Sequence, residues 1–433
     1  MKARWTGFSI LIIGVLLVVS SSNINWGKEH WKTVLQADAK GYYAYLPALF
    51  IYHDPNFGFF DAIERERYYD PNLFYDYRAN HHGDLINKYY LGTALAQLPF
   101  FGVAHAYTIA TEGPADGYSK SYSVAVNLAA ITWVLIGLVC MGSFLRTYSI
   151  APLWIAVTLV GFTFGTNLFY YAVIAPGMSH AYSFGLCSAF LLVGRKLLQK
   201  QEHKGILFLG LLLGIIVLIR PVNGIILFAL PILADGELHW RTFPPLVKTH
   251  LPAIVGAAVL CVSVVSLQLV YYQIATGSPF VYSYGDEGFR WTDPHMLDIL
   301  FSYRKGLFVY TPLLLFSLVG WPYLWRLSKT AAWAWSAFFI LLTYVLSSWW
   351  NWWYGGSFGA RPYVEYLGLF MLLFALALDR LMKSWRSVLL ITAMLVVVLC
   401  QVQTYQMRYY QIHWENMDKA KYWEVFLRVD KLP

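Results

Sequence analysis

Apolar runs recur along the chain at 5–24, 89–110, 121–145, 152–173, 181–194, 206–219, 222–234, 251–274, 306–325, 331–350, 363–379 and 387–407. Many approach the roughly 20 residues that a helix needs to cross the hydrocarbon of a bilayer. This repetition predicts an all-α fold: a polytopic transmembrane helical bundle forming a single membrane domain over 1–433. The first run follows Lys2 and Arg4, a start that resembles a signal peptide with Ser20-Ser21-Ser22 as a small-residue cleavage site. Retention as an anchor is the preferred reading, because everything downstream is also membrane-embedded.

The polar residues between the runs set the topology, since cytoplasmic connections keep Lys and Arg. Arg146, the cluster Arg195, Lys196, Lys200 and Lys204, the pair Arg241 and Lys248, then Arg326 and Lys329, and finally Arg380, Lys383 and Arg386 all stand in short connections. Placing every one inside, with Lys2 and Arg4, demotes 89–110 to a juxtamembrane or re-entrant helix. It also divides 206–234 at Arg220-Pro221. A continuous helix there would hold Arg220 near mid-membrane, at a cost of roughly 2.5–3.5 kcal/mol. About eleven spans result, with the N-terminus inside. The outer face carries 25–120, 172–181, 275–305 and 350–362, followed by a tail over 408–433.

Composition agrees with this picture. Apolar residues make up 58% of the chain and charged residues 13%, well below the roughly 25% charged content of soluble domains. The net charge of +8 would suggest nucleic acid in a soluble chain, but the cations punctuate apolar runs, so no nucleic-acid partner is expected. Cys140, Cys187, Cys261 and Cys400 all lie inside apolar runs, which argues against a disulfide framework or a zinc knuckle.

Candidate chemistry gathers in the outer segments. Asp38 opens the aromatic stretch Asp38–Pro47, which would lie in the interface and hold a carboxylate at headgroup level, where it can serve as a general base. Tyr42 and Tyr43 of that stretch are sugar-contact candidates. Lys88 precedes the juxtamembrane helix, a position suited to a lipid phosphate or to ordinary snorkelling. His81, His82 and Asp84 are metal-ligand candidates by residue type, although their spacing matches no compact zinc motif. His180 begins a span and joins both the metal and the substrate candidates. Arg220, Arg304 and Arg361 form a set of outer-face cations, and arginine binds phosphate in fork geometry. The opposing reading pairs them with Glu365, Asp286, Glu287 or Asp293. Trp349–Glu365 packs large rings among glycines. Trp352, Trp353, Tyr354 and Glu365 are therefore candidates for contact with a sugar, against the reading of an aromatic membrane belt.

The segments DAKGYYAYLP, NKYYLGTALAQLPF, FGTNLFYYAVIAPGMSHAYSF, GLLLGIIVLIRPVN, LFSYRKGLFVYTPLL and WWYGGSFGARPYVE, in this order, resemble the C-type (GT-C) superfamily of membrane glycosyltransferases. Within it they resemble protein O-mannosyltransferases and aminoarabinose transferases. The resemblance implies a polyprenyl-phosphate-linked sugar as donor, a lipid or glycan acceptor, membrane lipids as surroundings, and a bacterial cytoplasmic membrane with the active site on its outer face. It implies that Asp38 is the catalytic base and that Lys88 contacts donor phosphate. His180 stands where many members carry a second acidic residue, so a divalent metal is a cofactor candidate that the reading does not require.

The expected activity is transfer of a monosaccharide to an acceptor hydroxyl. Two competitors remain. A lipid-linked glycan flippase would need ionisable residues deep within spans, and few occur. A polymerase or ligase acting on lipid pyrophosphates would be expected to carry a larger late outer loop than 275–305.

Overall fold

The computed structural model describes residues 4–68, 75–200, 203–234 and 243–430. Lys2 and Arg241 of the topology argument lie outside the described residues. The chain is overwhelmingly helical. Sixteen α-helices are described: α1 Arg4–Asn25, α2 Asp38–Pro47, α3 Gly92–Ala110, α4 Lys120–Arg146, α5 Pro152–Phe164, α6 His180–Lys200, α7 His203–Ile219 and α8 Phe243–Thr276, then α9 Met296–Phe301, α10 Leu307–Tyr310, α11 Leu313–Ser317, α12 Trp321–Leu327, α13 Lys329–Ser347, α14 Leu367–Arg380, α15 Lys383–Arg408 and α16 Lys419–Val425. A two-stranded hairpin pairs Arg78–His81 with Asp84–Asn87, with His82 and Gly83 at its turn.

Among the described residues, seven helices are long and apolar enough to cross a membrane. They lie in α1, α4, α6, α8, α13 and α15, with the seventh over Arg361–Arg380. Four shorter apolar helices, Pro152–Phe164, Lys204–Ile219, Pro221–Leu233 and Leu313–Leu327, account for the remaining expected runs. A 13-residue α-helix such as α5 extends only about 20 Å, short of a hydrocarbon core of about 30 Å. The chain is a multi-pass helical membrane protein, and α3 is not one of the seven long candidate spans.

Two features of the bundle position the candidate site. First, α7 ends at Ile219, Arg220 is extended (φ −152°, ψ 117°), and Pro221–Leu233 continues as a 3₁₀ helix. Proline cannot donate to the preceding turn and is at home at the first helical position, so the break falls at Arg220-Pro221. Second, the apolar core centres on α14, which is buried from Leu367 through Leu378. Its N-terminal lead-in, the 3₁₀ segment Arg361–Tyr366, is thereby carried into the middle of the molecule.

A separate aromatic core holds the segment between α1 and α4 together. Tyr43, Tyr45, Phe57, Phe60, Tyr77 and Tyr122 are essentially fully buried there. Tyrosine suits such a place because its ring fills the core while its hydroxyl finds a partner. Tyr43 donates to the carbonyl of Gly117, Tyr45 to that of Tyr89 at 2.6 Å, and Tyr77 to Glu64 at 2.6 Å.

Candidate active site

The Asp38 carboxylate sits in the first turn of α2, where the unsatisfied N–H groups of a helix favour negative charge. The preceding residue, Ala37, has φ 46°, a backbone conformation that costs a residue with a side chain roughly 1–3 kcal/mol. Surrounding packing must hold it. Asn87, at the end of the hairpin, donates to the Gly41 carbonyl at 2.7 Å and accepts from the Tyr89 backbone N–H at 3.0 Å. Gly41 has no room for a side chain: a Cβ there would lie 2.3 Å from the Tyr89 ring. The Tyr89 ring therefore lies against α2, and its hydroxyl donates to Asp38 Oδ1 at 2.7 Å.

The other carboxylate oxygen, Oδ2, accepts from Arg361 Nη2 at 2.7 Å. These two residues are separated by most of the chain, and both are largely withdrawn from water, at 19% and 12% side-chain exposure. Four residues beyond Arg361, the fully buried Glu365 accepts from Arg220 Nη1 at 3.3 Å and lies 3.0 Å from His180 Nδ1. The 3₁₀ lead-in to α14 thus faces α2 through Arg361, and faces α6 and the Arg220 break through Glu365. Arg220 also stands 5.9 Å from the centre of the Tyr354 ring.

Two polar atoms within this cluster are buried without a hydrogen-bond partner, Arg361 Nε and Glu365 Oε2. Buried polar atoms are nearly always paired in folded proteins, so an orphaned donor and an orphaned acceptor four residues apart on one 3₁₀ segment are compatible with a polar ligand. Burial pushes the Asp38 carboxyl up. The Arg361 guanidinium, the Tyr89 hydroxyl and the charge of Lys88 outweigh that and hold it below the ordinary carboxylate range. Asp38 is therefore ionised at neutral pH.

Lys88 follows the hairpin and pairs with Glu287 at 2.6 Å, with its ammonium 5.3 Å from the Tyr284 ring. Its charge reaches Asp38 electrostatically rather than by contact. Tyr42, with its ring 4.7 Å from that of Tyr89, belongs to the same cluster. The remaining sequence candidates are placed elsewhere. Tyr43 turns into the aromatic core. Trp352 stacks on His295, with ring centres 5.5 Å apart. Arg304 lies over the Trp353 ring at 3.5 Å and donates to the Glu415 carbonyl at 3.1 Å, so it is turned to the tail. Of the basic pair, Lys305 goes inside: it donates to the carbonyls of Ser357 and Trp414. Burial, then repulsion from Arg361 and Arg304, lowers its ammonium to about 7.

His81, His82 and Asp84 lie on the hairpin, His82 and Asp84 exposed at its tip, apart from the buried His180. Among the described residues no group of three or more His, Cys, Asp or Glu is arranged to hold an ion. At the Asp38 cluster both carboxylates already face guanidinium groups, a donor set unsuited to a cation.

No protein-family model matches the chain, and no curated protein matches it. Among solved structures the chain is similar to the archaeal oligosaccharyltransferase AglB from Archaeoglobus fulgidus, solved with an inhibitory peptide and a dolichol-phosphate. The TM-score is 0.49 at 11% identity, over 98% of this chain and 57% of that one. It is also similar to the apo form of an Archaeoglobus fulgidus oligosaccharyltransferase, with TM-score 0.46 and 12% identity over 98% of this chain and 60% of that one. The chain thus spans little more than half the length of these structures.

Proposed function

We propose that the chain is a GT-C-type glycosyltransferase that moves a monosaccharide from a polyprenyl-phosphate donor to an acceptor hydroxyl at the outer face of a bacterial cytoplasmic membrane. The observation that carries this reading is the Asp38–Arg361 contact beside the orphaned Arg361 Nε and Glu365 Oε2. It joins an ionised base to a phosphate-binding group in a partly dry site. The motif resemblance supplies the substrate class. The proposed topology is eleven crossings in one membrane domain, N-terminus inside, which puts 25–120 and 350–362 on the outer side.

In the proposed reaction the acceptor O–H gives its proton to Asp38 as the oxygen attacks the anomeric carbon. The bond between that carbon and the phosphate oxygen breaks, and the lipid phosphate leaves with the electron pair, inverting the centre. Arg361, Arg220 and Lys88 supply positive charge for the leaving phosphate. Fixed charge aimed at a developing anion is usually the largest catalytic contribution. Arg361 would exchange its Asp38 contact for the phosphate, which frees the base as the donor seats.

Purified protein in detergent, given radiolabelled polyprenyl-phosphate sugars and candidate acceptors, tests the reading. Asp38→Ala should lower transfer by roughly 10²–10⁴-fold while the protein still purifies as a folded species. Full activity in that variant refutes the role of Asp38. Absence of any transfer, with lipid translocation in vesicles instead, refutes the enzyme reading.

A further inference from the structure

A cavity of about 450 Å³ opens on the outer side and shares no lining residue with the Asp38 cluster. Its size is within the roughly 300–1,000 Å³ usual for small-molecule sites. It lies where the juxtamembrane helix α3 ends and the candidate span α4 begins. Three cations line it, Lys32, Arg67 and Lys120, against one carboxylate, Glu29. Lys32 is paired with Glu29 at 2.6 Å, and Arg67 with Asp116 at 3.0 Å. Lys120 has no acidic partner within 4 Å among the described residues and is exposed.

Hydroxyl groups line the cavity as well. Thr108 Oγ1 and Ser121 Oγ share a hydrogen bond at 2.5 Å, and Ser121 Oγ is 3.4 Å from Ser119 Oγ. Beside the cavity α3 presents bare apolar side chains, with Val103 at 72%, Tyr107 at 62% and Ile109 at 58% exposure. Tyr107 itself lines the cavity. Such a face seats in the acyl boundary of a bilayer, which puts the cations at headgroup depth. Lys120, Arg67 and Lys32 together can meet the charge of a phosphate. Thr108 and Thr111 already donate to the carbonyls of Ala104 and Tyr107, which leaves the Ser119 hydroxyl to donate to it.

We propose that this cavity is a binding site for a phosphate group, supplied by the headgroup of an anionic membrane lipid and separate from the transfer centre. The site depends on Lys120, whose charge is not already neutralised. Lys120 is the first residue of α4, so a glutamate there suits the helix N-terminus and leaves folding intact.

The full chain is reconstituted in nanodiscs of phosphatidylcholine and phosphatidylglycerol. Phosphatidylglycerol retained on the protein after transfer to detergent is then counted by native mass spectrometry. Lys120→Glu should reduce retention at least about fivefold, the loss expected for one headgroup-level cation. Lys419→Glu, an equal charge change on the exposed outer tail, should leave it unaltered. In a second arm, inorganic phosphate is added to delipidated protein at constant ionic strength and the unfolding temperature is followed. A rise that Lys120→Glu abolishes, without specific lipid retention, keeps the phosphate site but makes its source soluble. Equal behaviour of Lys120→Glu and Lys419→Glu in both arms overturns the proposal. Neither arm reads sugar transfer, so the outcome is independent of the Asp38 assignment.

Discussion

The Asp38–Arg361 contact sets the pH at which a base can work. With Arg361 in place Asp38 stays ionised well into acid, so it imposes no fall in kcat/KM between neutral and mildly acidic pH. In Arg361→Gln the upward push of burial meets less opposition, and the acid limb of kcat/KM should move to higher pH. An unchanged limb in that variant shows that another group titrates. Lys305 gives a test that needs no substrate. Between about 7 and its ordinary value of about 10.4, the unfolded chain binds a proton that the folded chain refuses. Stability should therefore rise with pH across that window. Lys305→Met loses the two carbonyl contacts at every pH and also flattens the slope. Unfolding in detergent between pH 7 and 10 compares the two slopes, and identical slopes refute a neutral buried amine. His180, Arg220 and Arg361 are legible in the sequence because each is an ionisable group at the edge of an apolar run, and Asp38 because it opens an aromatic stretch. Tyr89 is not. It is one of 32 tyrosines, and only the fold brings its hydroxyl to Asp38. Nor does sequence say which of Arg304 and Lys305 turns inward.

At the scale of elements, the site depends on how closely α2 and the strand end at Asn87 approach each other. Gly41 is the point of contact. A methyl group there would overlap the Tyr89 ring and also lie 2.9 Å from Tyr77 Cβ. Overpacking of this kind typically costs about 1–3 kcal/mol. Gly41→Ala should therefore melt at lower temperature, and it should transfer sugar more slowly because Tyr89 can no longer hold Asp38. A variant with wild-type melting and wild-type turnover would show that the ring has room to move. Periodicity makes α2 and the break at Arg220-Pro221 visible, since proline and a charge inside an apolar run leave few alternatives. It does not reveal that Trp352 and Trp353 pack on His295 and Arg304. An aromatic run reads alike whether its rings face a substrate, a lipid or one another.

For the whole molecule, the sidedness of the loops can be tested chemically. The seven long candidate spans and four shorter apolar helices fall on the runs that the sequence predicts as crossings, and α3 is absent from both groups. Length and composition carry that much. Sidedness rests on the Lys and Arg bias alone. His82, at the hairpin tip, and Lys383, at the start of α15, are both exposed, and the proposed topology puts them on opposite sides of the membrane. Cys140, Cys187, Cys261 and Cys400 are free and lie within α4, α6, α8 and α15, so their replacement gives a clean background. In that background a membrane-impermeant maleimide applied to intact cells should label His82→Cys. It should label Lys383→Cys only after the membrane is opened. The reverse pattern would put Asp38, Arg361 and the phosphate cavity on the cytoplasmic side, where an outer-leaflet donor could not reach them. Labelling of both sites in intact cells would mean an even number of crossings between residues 82 and 383, so that either α3 crosses or 206–234 crosses once rather than twice.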